Sequence, residues 1–398
     1  MLRLLVVGPA WPLRGGIART TTQLAQALAA AGSLAGFLTP KRQYPRWLYP
    51  GASDVDPDAC PRLPQARRCF GVLEPWSWRT AARYGRAAAA DALVLPYWTW
   101  VWAPFERCLA RRLGLPVVAV VHNPADHEAT RLARLSATWV LDRAGAYFCH
   151  ARAVERQVSE RFPGRPTAVH PLPADAPPRA ERSLARARLG VADGTVAVLF
   201  FGLIRPYKGV GVLLEAFAGL PRELPMTLLL AGEPWKDERS ALTERLAKPD
   251  LAGRVRARLE WIPEQEAGEW FAAADATVLP YLAATGSAVA AQALGAGLPV
   301  VGTQVGGIAE VIEDGSNGLL VPPADPAALA DALFRLTAPG ALARLATGAS
   351  VAAGRFTWRS YADALAALVG VLLRKTMGRH DVPAGYTEAK SGDATCSK

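Results

Sequence analysis

The sequence predicts an α/β fold in which two doubly wound, Rossmann-like domains face each other across a cleft. Its 398 residues exceed what one ordinary core accommodates, and the composition, about half hydrophobic and a fifth charged, is that of a globular protein. Short apolar runs alternate with helical patterns in both halves, as in parallel sheets covered by helices. A proline-rich stretch between Pro171 and Gly194 separates the halves.

The first predicted domain comprises residues 1–175. Its N-terminal apolar run is interpreted as a core strand rather than a signal peptide, and Gly15 and Gly16 open a predicted helix that ends near Gly32. The segment Arg42–Pro64, rich in Pro, Tyr and Trp, is predicted to be a long loop. The predicted strands are Leu2–Val7, Ser33–Thr39, Ala92–Pro96, Val117–Val121 and Ala146–His150.

The second predicted domain, residues 194–355, follows a linker at 176–193 that contains a short charged helix, Arg179–Leu189. Within residues 356–377, a last helix at Tyr361–Leu373 is expected to cross back onto the first domain. Residues 378–398 are polar without periodicity and are predicted to be disordered. The predicted strands are Val196–Phe201, Met226–Ala231, Val255–Leu259, Ala276–Leu279, Pro299–Thr303 and Gly318–Val321, and the main predicted helices are Glu264–Ala274, Ala288–Ala296 and Asp325–Leu336.

The turn after strand Val196–Phe201 carries the most informative residues. Two cations, Arg205 and Lys208, lie between Gly202 and Gly209, and a helical pattern follows directly. This order places both cations at the carboxyl edge of a sheet beside a helix N-terminus, where backbone N–H groups and the helix dipole also favour an anion. The turn therefore predicts a site for a phosphate-bearing ligand; a surface turn with two solvated cations is the alternative.

The positive charge is concentrated in the first half. Residues 1–175 hold 22 Lys and Arg against 12 Asp and Glu, whereas residues 176–398 hold 23 of each, and eight of the twelve tryptophans lie in the first half. A basic surface with interfacial aromatics suits anionic lipid headgroups or a pyrophosphate-bearing acceptor. A solvated basic face with core aromatics is the alternative. Nucleic acid is not an expected partner, because no recognition-helix or zinc-finger pattern is present.

The expected location is cytoplasmic, with attachment to the inner face of the cytoplasmic membrane left open. No apolar run reaches the roughly eighteen residues that a spanning helix needs. The five cysteines are scattered without metal-ligand spacing, which suits reduced thiols in a cytosolic protein.

The chain resembles the GT-B glycosyltransferases, most closely the glycosyltransferase family 4-like group. The resemblance covers about residues 1–375 and depends on the order of several motifs rather than on any one. The motifs are Gly15-Gly16, Phe201-Gly202 through Lys208-Gly209, Pro280-Tyr281, Gly295 through Thr303, Gly306-Gly307 through Ile312, and Gly315 through Gly318.

The resemblance implies that the second domain binds a nucleotide-sugar donor and the first domain binds a saccharide or lipid-linked acceptor. Gly15 and Gly16 then lie against the donor phosphates. Arg205 and Lys208 clamp the diphosphate, since no metal-binding motif is identified there and no cofactor is expected besides the nucleotide-sugar co-substrate. Gly286 and Ser287, at a helix start, would add N–H donors to the same anion. Plain N-capping is the alternative for Ser287.

Some residues depart from the family pattern. Ala284 and Gln292 stand where the family usually has two glutamates, and Leu203 replaces an arginine common after the glycine. Gln292 is expected to bind a ribose hydroxyl, and Glu310 to touch the ribose or base, with helix capping as its alternative. This pattern resembles a subgroup active in exopolysaccharide or lipid-linked oligosaccharide assembly, so retention of the anomeric configuration does not follow automatically.

The segment after strand Val117–Val121 is the second chemical centre. His122 matches the family histidine that lies near the donor sugar, and His127 and Glu128 are further catalytic candidates, with Asp126 as another base. A structural His122, a loop ion pair of His127 with Glu128, and a metal site without an identified third ligand remain alternatives. His150 and His170 are expected to be structural.

The predicted function is transfer of a sugar from GDP-mannose or a UDP-sugar to a saccharide or lipid-linked saccharide in polysaccharide or cell-envelope glycan synthesis. Two other functions remain open. A catalytically silent sugar-nucleotide-binding partner is suggested by Ala284 and Gln292. A sugar-nucleotide epimerase would need acids around the sugar and no acceptor.

Overall fold

The computed structural model describes residues 2–43, 55, 63, 66–97, 99–122, 138–235 and 238–377. Within these residues the chain forms two parallel sheets, one of seven and one of six strands, each flanked by helices. The predicted pair of doubly wound domains is therefore confirmed. Most of the predicted loop Arg42–Pro64 and the whole predicted tail, 378–398, lie outside the described residues.

The N-terminal sheet has the strand order β3-β2-β1-β4-β5-β6-β7. Its strands are β1 Leu4–Val7, β2 Leu34–Pro40, β3 Ala66–Phe70, β4 Ala92–Tyr97, β5 Val117–Val121, β6 Ala146–Cys149 and β7 Thr167–Val169. Alternate residues of β1 enter different cores: Leu5 and Val7 pack on one face of the sheet, and Leu4 and Val6 on the other. Both faces are thus buried, which explains the continuous apolar runs.

The helices of this half with described bounds are α1 Gly16–Ala30, α2 Pro75–Ala87, α3 Ala103–Leu113 and α4 Arg152–Arg161. Helices α2 and α3 pack against each other. No helix of the described residues combines the length and apolar character that crossing a bilayer requires.

The C-terminal sheet has the order β10-β9-β8-β11-β12-β13. Its strands are β8 Val196–Phe201, β9 Met226–Ala231, β10 Val255–Arg258, β11 Ala276–Leu279, β12 Val300–Thr303 and β13 Gly318–Val321. The helices from the linker onward are α5 Arg182–Arg188, α6 Val210–Ala218, α7 Glu238–Leu246, α8 Glu264–Ala273, α9 Ala288–Gly295, α10 Gly306–Val311, α11 Pro326–Arg335 and α12 Ala341–Arg355.

The last helix, α13 Trp358–Met377, returns to the N-terminal sheet as the sequence predicts, although it is longer than expected. Its buried residues Tyr361, Leu365 and Val369 share a core with β1, β4, β5 and β6. The two halves are therefore joined by a packed helix as well as by the linker.

Two strands were not predicted from the sequence. Strand β3 lies at the edge of the sheet and exposes Arg67 and Arg68, so it lacks a buried apolar pattern. Strand β7, on the opposite edge, is only three residues long and half-buried. Edge strands have one pairing partner and one solvated side, which weakens the sequence signal.

Candidate functional site

The strand order of each sheet reverses next to its first strand, at β1/β4 and at β8/β11. In open parallel sheets, ligands bind at such switch points, outside the carboxyl ends of the strands. Gly15 and Gly16 follow β1, and Arg205 and Lys208 follow β8, so the predicted phosphate-binding residues of both halves lie at the two switch points.

The two switch-point edges face each other closely. A Cβ added to Gly16 would lie 3.6 Å from Cβ of Ala288, the first residue of α9. A Cβ on Gly286 would lie 3.8 Å from Cβ of His150, and one on Gly307 would lie 3.2 Å from Cβ of Ala151. The turns after β1 and β6 therefore form one wall of a cleft, and the starts of α9 and α10 form the other.

Arg205 is held by an aromatic platform. Its guanidinium carbon lies 3.9 Å from the centroid of the Trp235 ring, and its buried Nε has no hydrogen-bond partner among the described residues. Ile204 fixes this arrangement, since its N–H donates to the Glu233 carbonyl and its own carbonyl accepts from Trp235 N–H. The stacked guanidinium thus keeps unused donors.

Lys208 lies beside Arg205 in a half-buried position. Its Nζ lies 5.4 Å from the Tyr281 ring centroid and would be 3.4 Å from a Cβ on Gly202. Burial, and then the neighbouring Arg205 charge, lower the pKa of Lys208 to about 7. Across the described part of the chain, neither cation forms an ion pair with a carboxylate.

The turn that carries Arg205 and Lys208, residues 202–209, is called the cation turn. Glycine is required where this turn packs against the loop after β11. Gly209 has φ 67°, and a Cβ there would lie 2.0 Å from the Pro280 carbonyl oxygen. Gly306 has φ 42° and packs the same way on the carbonyl of Ala284. These close approaches hold the loop before α9 between the cation turn and α10.

The start of α9 is capped by Ser287, whose Oγ accepts from Ala290 N–H at 3.1 Å. N-capping, the alternative given above for Ser287, is thus what the structure shows. Gln292 lies one turn further along α9 and is only 7% exposed. Its side-chain amide makes no hydrogen bond to any described residue, and Ala284 is half-buried against the C-terminal core.

Glu310 is engaged across the cleft. Its carboxylate oxygens accept from the N–H groups of Arg152, at 2.7 Å, and Ala153, at 3.1 Å, in the first turn of α4. This anion at a helix N-terminus is stabilised by the helix dipole. Glu310 therefore caps a helix of the other half, so the structure shows the capping alternative, and the ribose or base contact stays a prediction.

His122 and His150 follow the neighbouring strands β5 and β6, and their ring centroids are 4.6 Å apart. Both rings are buried. Burial lowers the pKa of His122 to about 4, and burial with the neighbouring His122 and His170 lowers that of His150 well below its usual value. Both imidazoles are consequently neutral at pH 7. The candidates His127 and Glu128, and Asp126, lie outside the described residues.

Sequence reasoning treated His150 as structural and missed that it lines the cleft. It borders a pocket together with Pro171, Leu172, Gly286, Ser287, Ala291, Leu294, Gly307, Val311 and Phe356. The signal was its position: it comes directly after β6, as His122 does after β5. His170, at 2.7 Å from the Pro171 carbonyl and 3.0 Å from Ser360 Oγ, is held by neighbours as expected.

Arg19 on α1 was also missed. It forms ion pairs with Asp175, the last residue of the first predicted domain, at 2.6 Å, and with Glu264 at the start of α8. Nearby, the Arg14 guanidinium carbon lies 4.9 Å from the Trp261 ring centroid. These contacts join the two halves beside the Gly15–Gly16 turn. In the part of the chain that the structure describes, no group of three or more His, Cys, Asp or Glu could hold a metal ion.

Comparison with known proteins gives matches over most of the chain. Residues 15–175 match the family described as "Glycosyl transferase 4-like domain", and residues 195–338 match "Glycosyl transferases group 1". A D-inositol 3-phosphate glycosyltransferase of Thermobispora bispora is 30% identical over 299 residues, 69% of each chain.

Another protein of that name, from Xylanimonas cellulosilytica, is 36% identical over 219 residues, 54% of this chain and 50% of the relative. The chain thus spans about half the length of the first curated relatives that it matches. Among solved structures, sucrose-phosphate synthase from Thermosynechococcus elongatus has a TM-score of 0.74 at 21% identity, covering 94% of this chain and 100% of that one. Anabaena HepE in complex with UDP-glucose has a TM-score of 0.72 at 17% identity, covering 92% and 99%.

Proposed function

The chain belongs to the GT-B glycosyltransferases of the family 4-like group, and from that premise we propose that it transfers a sugar from a nucleotide-sugar donor to a saccharide or lipid-linked saccharide. The proposed donor is a UDP-sugar or GDP-mannose. UDP-glucose is bound by HepE, which has the same fold.

The observation that carries the proposal is the pair Arg205 and Lys208. Half-burial of two neighbouring cations without a described counter-charge is energetically unfavourable. A nucleoside diphosphate supplies that counter-charge. Its negative charge grows at the leaving oxygen as the glycosidic bond breaks, so preorganised cations stabilise the transition state more than the ground state.

The two cations are suited to different tasks. The Arg205 guanidinium, stacked on Trp235, offers a planar set of donors that matches phosphate geometry. Lys208 is a compact charge that gains a proton when an anion arrives, because its pKa is already low. The capped start of α9 adds the positive end of a helix dipole. In this proposal the cations take the place of a metal ion.

We assign the remaining donor contacts by position. Gln292, buried on α9 with an unused amide, is placed at a ribose hydroxyl. Neutral His122 is placed near the sugar, where its ring can accept or donate one hydrogen bond. The Gly15–Gly16 turn is placed at the phosphates on the opposite wall, because its glycines let the backbone approach a ligand closely.

The acceptor is assigned to the N-terminal half. The curated relatives are named for an inositol phosphate, which is the second candidate beside a lipid-linked saccharide of cell-envelope or polysaccharide synthesis. The surplus of ten positive charges in residues 1–175 favours an acceptor that carries phosphate in either case. The free thiols of Cys69, Cys108 and Cys149 suit the proposed cytoplasmic location.

Turnover tests the proposal. The full chain is incubated with UDP-glucose, UDP-N-acetylglucosamine or GDP-mannose and with phosphorylated acceptors, and release of the nucleoside diphosphate is followed. We expect one donor to be consumed in an acceptor-dependent manner and in the presence of a chelator. Donor binding without turnover on any acceptor would instead support the silent partner, and acceptor-independent conversion of the sugar would support the epimerase. If no nucleotide sugar binds, the proposed function is wrong.

A further inference from the structure

Helix α2 and the turn before it expose large apolar side chains. Leu73 is 66% exposed, Trp76 is 70% exposed, and Tyr84 is 39% exposed. Isolated apolar residues on a surface need no explanation, but these three lie on one turn and one helix of 13 residues.

The helix separates its buried and exposed residues by helical spacing. Ser77, Ala81 and Gly85 recur every four residues and are buried in the domain, where α2 packs on α3. Trp76, Arg79 and Arg83 recur at spacings of three and four on the opposite side and are exposed. A tryptophan at the start of the exposed row is therefore followed by arginines, not by other apolar residues.

The charge of this surface is uncompensated. Tyr84 lies between two guanidinium groups, with the carbon of Arg83 at 5.6 Å and that of Arg67, on edge strand β3, at 6.0 Å from its ring centroid. None of Arg67, Arg79 and Arg83 has an ion-pair partner among the residues that the structure covers. Glu74, the acid just before the helix, is already paired with Lys41 at 2.6 Å.

We propose that this surface docks on an anionic lipid bilayer. The α2 face comprises Leu73, Trp76, Arg79, Arg83, Tyr84 and Arg67. Tryptophan and tyrosine prefer the headgroup level of a membrane, and arginines bind lipid phosphates while the negative surface potential attracts them. Charge complementarity selects this partner, because an apolar protein partner would leave the arginines without counter-charges.

The α2 face lies at the same edge of the sheet as the cleft, so docking would bring the cleft close to the membrane. Helix α2 begins after the carboxyl end of β3, and the carboxyl ends of the parallel strands form the cleft wall. Docking through Leu73 and Trp76 places the mouth of the cleft near the bilayer, within reach of a lipid-linked acceptor. This consequence rests on the proposed function, whereas membrane binding itself does not.

Vesicle flotation of the full chain tests the proposal. Phosphatidylcholine vesicles are compared with phosphatidylcholine vesicles containing phosphatidylglycerol. The variants are Trp76→Ser and the double variant Arg79→Gln with Arg83→Gln. The matched control is Phe334→Ser with Arg335→Gln, which changes an exposed aromatic residue and its neighbouring arginine on α11 of the other half.

We expect wild type and control to float with the anionic vesicles only, and each α2 variant to partition about tenfold more weakly. Equal recovery with both vesicle types, or α2 variants that float like wild type, would overturn the proposal. Binding to a soluble polyanion without vesicle binding would overturn it too. Nucleoside diphosphate binding is measured on the same samples; because it does not involve α2, it reports on the proposed function separately.

Discussion

His150 Nε2 and the Tyr361 hydroxyl share a hydrogen bond of 2.8 Å, which joins the turn after β6 to helix α13. The ring centroid of the same imidazole lies 4.6 Å from that of His122, and the imidazole lines the cleft. The returning helix α13 therefore supports the wall of the candidate site and does more than close the fold.

Tyr361→Phe removes this bond without removing the ring. His150 is then left buried with an unsatisfied ring nitrogen, so we expect the free energy of unfolding to fall by about 1–3 kcal/mol. Urea denaturation measures the change. The control Tyr84→Phe alters an exposed hydroxyl and should stay within about 0.5 kcal/mol of wild type. Equal stability of Tyr361→Phe and wild type would show that the bond does not hold the wall.

The cation turn requires glycine at position 209, whereas Gly211, two residues later, can be replaced. Gly209→Ala places a methyl group against the Pro280 carbonyl at positive φ, so we expect a loss of about 1–3 kcal/mol or more. Gly211→Ala, two residues later in α6, meets no atom within 4 Å and should gain up to about 1 kcal/mol from helix propensity. Thermal unfolding of the pair checks both signs; a neutral Gly209→Ala would contradict the packing described.

Donor binding should take up a proton. Free Lys208 has a pKa of about 7, and a bound diphosphate raises it, so the bound protein holds more protons at pH values above 7. The affinity for a nucleotide sugar should therefore fall as the pH rises from about 7 to 9. Calorimetry in two buffers of different ionisation enthalpy measures the uptake. Lys208→Gln should abolish it, and an unchanged uptake in that variant would assign the proton to another group.

Glu106 should make the fold less stable at alkaline pH. This carboxyl on α3 is 3% exposed, no described residue donates a hydrogen bond to its Oε2, and burial raises its pKa to about 8 from an unfolded value of 4.5. The folded state therefore binds the proton more tightly, and stability falls as pH rises from 4.5 through 8, by at most about 1.4 kcal/mol per pH unit.

Glu106→Gln removes this titration. Urea denaturation measures the free energy of unfolding of both proteins at pH 5.5 and pH 8.5. The difference, variant minus wild type, should be more positive at pH 8.5 than at pH 5.5. Parallel pH profiles of the two proteins would show that the carboxyl is not the titrating group.

The fold could be predicted from sequence where burial is complete. Strands Val196–Phe201 and Met226–Ala231 are apolar on both faces apart from Thr227, and their predicted bounds agree with the structure. Strand β3 has two exposed arginines in five residues, and its pairing with β2 depends on neighbours that the local pattern does not encode. The returning helix was visible because its apolar residues recur at helical spacing.

Parts of the candidate site could not be predicted from the sequence, because they depend on contacts between residues that are distant in the chain. Arg205 and Lys208 could be proposed from the sequence because their glycines, strand and helix are adjacent in the chain. Glu310 meets α4 about 157 residues away, and Arg19 meets Glu264 at a separation of 245. Such partners depend on how the two halves approach each other, which no local spacing reveals.

The most direct test of the central claim is calorimetric titration of UDP, GDP and ADP into wild type, Arg205→Ala, Lys208→Ala and the control Lys248→Ala, an exposed lysine of the same half. For the nucleotide that wild type binds most tightly, each of the first two variants should lose about 1–3 kcal/mol of binding free energy, and the control should bind like wild type. Unchanged affinity in both Arg205→Ala and Lys208→Ala would contradict the assignment of these cations to the diphosphate.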